Sequence, residues 1–297
     1  MITVFTPTYN RAHTIGKVFE SLKRQTYKDF EWLVVDDGSK DDTGSVIDGF
    51  AAEKPFFEIV YKYKENGGKH TAMNLAGDVA HGELLVICDS DDWLTDDALE
   101  RIVYWYGTVK DNDKIAGVIG REIVTNRDRV IKEERTAFDP VDIAYHHKEE
   151  HGIAGEDAFA FKTEIFKRYK FPEIKGERYM AESVQLDMMY FDGYLFRFVD
   201  EVYMYGSYLE DGLTYDYTKV NHDNPRGYAL WRIIEAKLYG RSPSHLAKKY
   251  YDYRCEMHYR YSDREISDFL GIPYLYLKLI VAVYAVGKKI KKNEKAI

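Results

Sequence analysis

The sequence predicts an α/β fold: a mainly parallel sheet flanked by helices, followed by a helical C-terminal extension. Three observations predict it. Four short apolar runs before Asp89 alternate with segments of helical period. Two of those runs end in clustered acids, at the place where parallel sheets carry functional loops. From Tyr228 to the end the pattern is helical.

Ile2-Thr-Val-Phe-Thr reads as a buried strand stopped at Pro7, and Thr8 to Arg11 as a polar loop. Ile15, Val18, Phe19 and Leu22 then recur at helical spacing. Phe30-Glu-Trp-Leu-Val-Val is a second strand, ending in Asp36-Asp37-Gly38-Ser39, with Asp42 or Thr43 able to cap a helix through Ile47 and Phe50. Phe57-Glu-Ile-Val-Tyr is a third strand. Asn66-Gly67-Gly68 is a turn, and a helix follows from about His70 to Ala80. Glu83-Leu-Leu-Val-Ile-Cys is a fourth strand, ending in Asp89-Ser90-Asp91-Asp92, with a helix from Asp96-Asp97 through Leu99, Ile102 and Val103. This alternation requires crossover helices and hence parallel pairing. After about Asp111 the rhythm loosens. Gly117–Gly120, Arg129–Ile131 and Leu195–Val199 read as strands, and Ala158–Phe161 with Phe166 and Phe171 as an aromatic floor.

Composition narrows the class. The chain has 297 residues, 45% hydrophobic and 31% charged, which excludes disordered, collagenous and polytopic membrane chains. Two cysteines, Cys88 and Cys255, make no disulfide framework, and Met1-Ile-Thr-Val-Phe lacks the basic start of a signal peptide. A reducing, cytoplasmic location is the expectation. The 26 tyrosines suit sugar contacts, although ordinary packing is the commoner use. Residues 226–297 carry 15 Lys+Arg against 7 Asp+Glu, whereas the rest of the chain is strongly acidic. An acidic body argues against nucleic acid as a partner.

The acids at strand ends point to a cation. Asp89, Asp91 and Asp92 repel one another, and a hard divalent ion bridging them to phosphate oxygens would offset that. The alternative is helix capping, which suits Asp92, Asp96 and Asp97 better. Other phosphate devices are missing: no Gly-x-Gly-x-x-Gly follows a strand, and Gly67-Gly68-Lys69-His70 is no P-loop.

Several features in order carry a resemblance: Thr6-Pro-Thr-Tyr-Asn-Arg11, Gln25, Val35-Asp-Asp-Gly-Ser39 with Asp42-Thr43, Asn66-Gly-Gly-Lys69, Asn74, Gly82-Glu83 and Asp89-Ser-Asp-Asp92. Together they resemble the nucleotide-sugar-binding half of family-2 inverting glycosyltransferases with the A-type, Rossmann-like fold. The resemblance covers residues 1 to about 105 strongly, extends to about 215, and leaves out the helical tail. It implies three regions: a nucleotide-sugar-binding half over 1–110, an acceptor-binding half over 111–215, and a helical region with a basic tail over 216–297. It implies that Pro7, Thr8 and Tyr9 pack around the donor base and ribose, and that Asp36 and Asp37 reach uracil and ribose. Asn66, Gly68, Lys69 and Asn74 would cradle the donor. Asp89 with Ser90 would meet the ribose, and Asp91, with Asp89 as a further candidate, would bind Mn²⁺ or Mg²⁺. Many relatives carry Arg-Asn where this chain has Met73-Asn74, and Lys69 is the candidate for the missing charge.

An inverting transfer needs a carboxylate to take the acceptor hydroxyl proton. By resemblance that base precedes a helix, at Glu182 in Gly176-Glu-Arg-Tyr-Met-Ala-Glu-Ser183; Glu156 and Asp157 are the alternatives. Tyr208–Thr214 resembles a closing segment, with Gly212 as its hinge.

The implied function is a metal-dependent glycosyltransferase moving sugar from a UDP-sugar to a saccharide or lipid-linked saccharide acceptor in surface polysaccharide synthesis. A sugar nucleotidyltransferase would share the sheet but needs a Gly-rich basic loop after strand one, which Thr8-Tyr-Asn-Arg-Ala-His is not. A non-catalytic nucleotide-sugar-binding or membrane-scaffolding protein is the third reading. In the tail, Ile272–Val286 is apolar but interrupted by Lys278, and Lys288, Lys289, Lys291, Lys292 and Lys295 follow. Such a segment fits either peripheral contact of 272–297 with the inner membrane face or a docked helix with a solvated end.

Overall fold

The computed structural model describes residues 1–126, 129–130, 136–207, 217–239 and 242–294, and gives backbone alone for 126, 129–130, 239 and 285–294. The chain divides into two compact units, one formed by 1–171 with 188–215 and the other by 172–187 with 216–297.

The first unit is built on a ten-stranded sheet. Its strands are β1 (Ile2–Thr8), β2 (Phe30–Asp36), β3 (Glu58–Tyr63), β4 (Leu84–Ile87), β5 (Trp93–Leu94), β6 (Ile115–Asn126), β7 (Arg129–Val130), β8 (Val141–Ile143), β9 (Glu156–Lys162) and β10 (Leu195–Ser207). Its helices are α1 (Gly16–Arg24), α2 (Thr43–Ala52), α3 (Lys69–Val79), α4 (Ala98–Gly107) and α5 (Thr163–Arg168); α6 (Ser183–Phe191) crosses the unit boundary. The main path runs β3-β2-β1-β4-β9-β6-β10-β5. Pairing is parallel from β3 to β4 and between β6 and β10. It is antiparallel where β9 lies between β4 and β6, and at the short strands β5, β7 and β8. The predicted parallel rhythm thus describes the N-terminal half, and the second half is mixed.

β1 and β2 are buried along their whole length, as strands covered on both faces must be. Phe19 of α1 stacks on Phe50 of α2 with ring centroids 4.2 Å apart, over a core of Val4, Trp32, Val34 and Val86. Two local expectations are corrected. Pro7 does not stop β1, which runs on to Thr8 against Asp36. β4 pairs with β1 only as far as Phe5, so at Pro7 no ladder bond on that side is lost. Neither Asp42 nor Asp97 caps a helix with its side chain; at α2 Asp41 Oδ1 accepts from the Thr43 N–H at 3.1 Å instead.

Gln25, just beyond α1, is buried and ties the unit together. Its amide donates to Thr95 O at 2.7 Å, and its Oε1 accepts from Leu99 N at 3.2 Å. Gly82 has a steric reason to be glycine. A Cβ there would stand 2.3 Å from Thr3 N and 2.5 Å from the Ile2 carbonyl carbon.

The second unit contains α7 (Tyr217–Asp223), α8 (Pro225–Tyr239), α9 (Pro243–Met257), α10 (Asp263–Phe269) and α11 (Tyr274–Glu294). Its core joins Tyr228, Tyr253, Met257, Ile266, Leu277 and Ile280. Glu177 is buried and accepts from the Arg226 and Gly227 N–H groups at 2.9 and 2.7 Å, satisfying the start of α8. Ser262 and Glu265 form a reciprocal cap on α10. The helical C-terminal region is present, and it begins earlier than Tyr228. Among the described residues no single helix is long and apolar enough to cross a membrane.

The Gly82 packing gives a direct test. Gly82→Ala should destabilise by about 1–3 kcal/mol, because backbone rather than a movable side chain meets the added methyl. Thermal melting should fall by several degrees, while Gly107→Ala, whose Cβ meets nothing within 4 Å, should not lower it.

Candidate active site

The loops after β1, β2, β3 and β4 all leave the sheet at the carboxyl ends of its parallel strands. They are tied to one another. Asn10 sits in the left-handed region at φ 54°, and its N–H donates to Ser39 Oγ at 2.8 Å. Asn10 Oδ1 accepts from Lys40 N at 2.7 Å. The Thr8 carbonyl accepts from Asp37 N at 2.8 Å. The loops after β1 and β2 therefore form one platform, on which Pro7 and Thr8 are buried and Tyr9 is exposed. Thr8 Oγ1 is buried with no hydrogen-bond partner.

Asp36 and Asp37 are adjacent but do different work. Asp36 is buried; its Oδ1 accepts from Ser39 N at 2.7 Å and its Oδ2 from the Tyr61 hydroxyl at 2.7 Å. Asp37 reaches across to the next loop. Its Oδ1 accepts from Lys64 Nζ at 2.6 Å and Gly67 N at 2.9 Å, and its Oδ2 from Gly68 N at 2.7 Å. That carboxylate shapes the Asn66-Gly67-Gly68 turn. Gly68, at φ 95°, is in the region only glycine enters freely, and it immediately precedes α3. Gly38, at φ 87°, leaves room for Asn66, whose N would lie 2.8 Å from a Cβ. Lys64 also donates to Thr71 Oγ1 at 2.7 Å, so one lysine braces the turn from both sides.

Lys69, the first residue of α3, extends to the loop after β4 and donates to Asp89 Oδ2 at 2.6 Å. The other oxygen, Asp89 Oδ1, is buried with no hydrogen-bond partner. Asn74 is elsewhere. It is buried, its amide nitrogen donates to Phe171 O at 2.9 Å, and its Oδ1 accepts from Phe171 N at 2.8 Å. Asn74 pins the backbone after α5 rather than joining this loop cluster. Ser90 is buried beside Asp89.

The acids of this edge are held in a dry setting. Burial raises the Asp91 carboxyl above the usual range, and the Asp89 charge adds to it; Arg11 and Lys69 act in the other direction. Asp92 is not a helix cap. It is buried, and burial followed by the charge of Glu122 pushes it well up. Glu122, on β6, is pushed up to about 8 by burial and then by Asp89 and Glu156. Both carboxyls crowd Gly206 of β10, where a Cβ would stand 2.0 Å from Glu122 Oε1 and 2.7 Å from Asp92 Oδ1. Each of the two carboxyls thus disfavours ionisation of the other.

Arg11, Lys64, Asp92 as a buried acid, and Glu122 were not among the sequence candidates. A lysine two residues before the Asn66 turn is a readable signal. Glu122 is not, because it comes from a strand distant in sequence.

The alternative bases differ in setting. Asp157, on β9, is mostly buried; Tyr145 donates to its Oδ2 at 2.9 Å, and Lys148 is ion-paired with it. Burial raises its pKa, and Lys148 opposes the rise. Glu156 is exposed and lies opposite Glu122 in the β6–β9 ladder. Glu182 belongs to the second unit, exposed in the turn immediately before α6. The segment Tyr208–Thr214 with Gly212 lies outside the described residues.

A divalent cation fits the acids after β4 in one manner. Among the described residues no group of three or more His, Cys, Asp and Glu could hold a metal ion alone. Asp89 has one unpartnered oxygen, and Asp91 is a desolvated carboxyl two residues on. Such a pair suits an ion that takes its remaining ligands from substrate phosphates and water.

The buried Asp92–Glu122 pair sets a pH dependence. A carboxyl whose folded pKa is raised contributes its stability at low pH and loses it as pH rises through the folded value. Stability measured in EDTA should therefore decline between about pH 5 and pH 8. Glu122→Gln should flatten that decline in melting temperature against pH; an unchanged slope would show that the pair is not protonated.

The sequence profile of Glycosyl transferase family 2 matches residues 3–170. Glycosyltransferase GlyG of Streptococcus pneumoniae serotype 4 is 32% identical over 117 residues, which is 39% of this chain and 38% of that one. The GalNAc(5)-diNAcBac-PP-undecaprenol beta-1,3-glucosyltransferase of Campylobacter jejuni is 32% identical over 136 residues, 44% of this chain and 41% of that one. The matches thus span about two fifths of the length of these two relatives. Among solved structures, S. aureus TarS 1–349 in complex with UDP aligns over 96% of this chain and 91% of its own, at TM-score 0.54 and 15% identity. Mannosyltransferase PcManGT from Pyrobaculum calidifontis, in complex with GDP-Man and Mn²⁺, aligns over 97% and 75%, at TM-score 0.51 and 22% identity. At those identities the structural likeness is one of fold. The profile covers more than half of the sequence, and the chain belongs to glycosyl transferase family 2, with the α/β fold its N-terminal half predicts.

Proposed function

We propose that this chain moves a sugar, with inversion at the anomeric carbon, from a UDP-sugar to a saccharide or lipid-linked saccharide acceptor. Family membership supports transfer, and the observation that carries the donor chemistry is the half-paired Asp89. One of its oxygens rests on Lys69 and the other is buried without a partner, beside the desolvated Asp91. An arrangement of that kind suits a cation shared with diphosphate oxygens.

In this reading Pro7, Thr8 and Tyr9 form the surface for base and ribose, with the buried Thr8 hydroxyl as a hydrogen-bonding group. Asp36 and Asp37 stand at the end of β2 toward base and ribose, Asp36 holding Ser39 and Tyr61 in place and Asp37 holding the Asn66–Gly68 turn that would meet the donor. Lys69 and Arg11 supply positive charge toward the phosphates. Asp89 and Ser90 meet the ribose, and Asp91, with Asp89, would hold Mn²⁺ or Mg²⁺. When bound, that ion would neutralise the charge developing on the leaving diphosphate.

Glu182 is the proposed general base. Its carboxylate takes the proton of the acceptor hydroxyl as that oxygen bonds to the anomeric carbon, and the bond from that carbon to the diphosphate oxygen breaks to release UDP. Its exposure suits it to receive an acceptor from solution. Asp157 is less suited, since Lys148 and Tyr145 already engage its carboxylate. The Campylobacter jejuni relative, whose name describes transfer to an undecaprenol-linked glycan, supports an envelope acceptor.

Two substitutions separate the roles. Asp91→Ala should leave the far-ultraviolet circular dichroism unchanged and remove the Mn²⁺-dependent part of UDP affinity. Retained Mn²⁺ dependence would overturn the ligand assignment. Glu182→Gln should bind UDP normally and slow sugar transfer on the order of 10²–10⁴-fold, because the amide cannot accept the proton. Normal transfer by Glu182→Gln together with a dead Asp157→Asn would move the base to β9.

A further inference from the structure

The second unit leaves one face of its last helix uncovered. Leu277 and Ile280 of α11 are buried in the aromatic core of α8–α10, and Tyr284 donates its hydroxyl to Ser244 O at 3.0 Å. These residues fix which side of α11 packs inward. On the opposite side Leu275 is 79% exposed, Leu279 60% and Val283 60%, with Tyr276 at 41% beside them. Leu275, Leu279 and Val283 recur every four residues, so they form one stripe along the helix. Scattered exposed leucines are ordinary on a protein surface, but a continuous apolar stripe left exposed by the described residues is not.

The sequence states what kind of surface would cover it. Lys278 is exposed within the stripe's own span. Val286 and Ile290 continue the apolar spacing in sequence, and Lys288, Lys289, Lys291 and Lys292 are set among them before the helix ends at Glu294. The C-terminal region from Arg226 is net basic in a chain that is otherwise acidic. A helix with an apolar face, an aromatic at its edge and a run of lysines has the composition of one that lies in the plane of an anionic bilayer. A second copy of this chain is a poorer occupant, because pairing the stripe with itself would bring two basic segments together. Among the described residues no single helix is long and apolar enough to cross a bilayer, although α10 and the Tyr274–Tyr284 part of α11, bent by 110°, reach that length and composition together.

We propose that the Leu275–Leu279–Val283 face of α11 docks on an anionic lipid surface, with the lysines that follow held on its headgroups. The inference goes beyond the glycosyl-transfer reading and does not depend on it, since it concerns the second unit alone. Lys278 is no obstacle: it is exposed beside the stripe, and its four-carbon stem lets the ammonium reach the headgroups while the stripe is buried.

The test is vesicle cosedimentation of the full chain, free of donor and metal. The probes are phosphatidylcholine vesicles with and without 30% phosphatidylglycerol, at about 50 mM and about 500 mM salt. The wild type should sediment with the anionic vesicles at low salt, release at high salt, and ignore pure phosphatidylcholine. A Leu275→Gln, Leu279→Gln, Val283→Gln triple variant, altered only at exposed positions, should keep its melting temperature and bind at least tenfold more weakly. Replacing Lys288, Lys289, Lys291 and Lys292 with Gln should weaken binding on the order of 10²–10³-fold. No binding of the wild type to anionic vesicles at low salt would overturn the proposal. Undiminished binding by the triple variant would also overturn it, by reducing the contact to charge alone. A wild-type dimer that the triple variant dissolves, with no vesicle binding by either, would assign the face to a second copy instead.

Discussion

Asp89, Asp91, Asp92 and Glu122 bring four carboxyl groups to one partly dry edge of the sheet, and the surrounding loops are arranged to offset their mutual repulsion. Three devices do so. Lys69 pairs with Asp89. Arg11 opposes the upward push on Asp91. Burial and mutual repulsion push the deeper pair, Asp92 and Glu122, toward the uncharged form. What is left is one unpartnered oxygen on Asp89, whose charge also raises the Asp91 carboxyl two residues on. Removing any of these compensations would leave the neighbouring carboxyls repelling one another with less to offset it.

The remaining loops serve to hold that edge in place. Asp37 organises the turn from which α3 starts, and the first residue of α3 is the lysine that meets Asp89. Asn10 and the Thr8 carbonyl tie the loops after β1 and β2 into a single platform. Asn74 and Gln25 work further back, fixing the ends of α5 and α1. A chain of contacts thus runs from the sheet to Asp89, so in the proposed reading a donor would meet groups already positioned. Preorganisation of this kind lowers the cost of binding.

Much of this was legible in the sequence, for a physical reason. β1 to β4 are short, apolar and separated by helices of regular period, so the local pattern and the final pairing agree. The strand-end acids and the Asn66-Gly67-Gly68 turn were readable because turn chemistry and like-charge crowding are local properties. What was not readable depends on distant strands. β5 is two residues long and exists only because β10 passes beside it. β9 enters antiparallel between β4 and β6, which no local period announces. Asp92 resembles a helix cap in its sequence setting, and only the arrival of Glu122 on β6 makes it half of a buried pair. Asn74 stands in a run that suggests a donor contact, yet both ends of its amide are bound to Phe171, 97 residues on.

The central claim is that the four strand-end loops form one nucleotide-diphosphate site completed by a divalent ion. Amide hydrogen exchange on the wild-type chain, with and without UDP and Mn²⁺, tests it most directly. The account expects protection to rise together in residues 8–11, 37–41, 66–69 and 89–92, and only when both UDP and Mn²⁺ are present. Protection confined to one loop, or equal protection by UDP in EDTA, would contradict it.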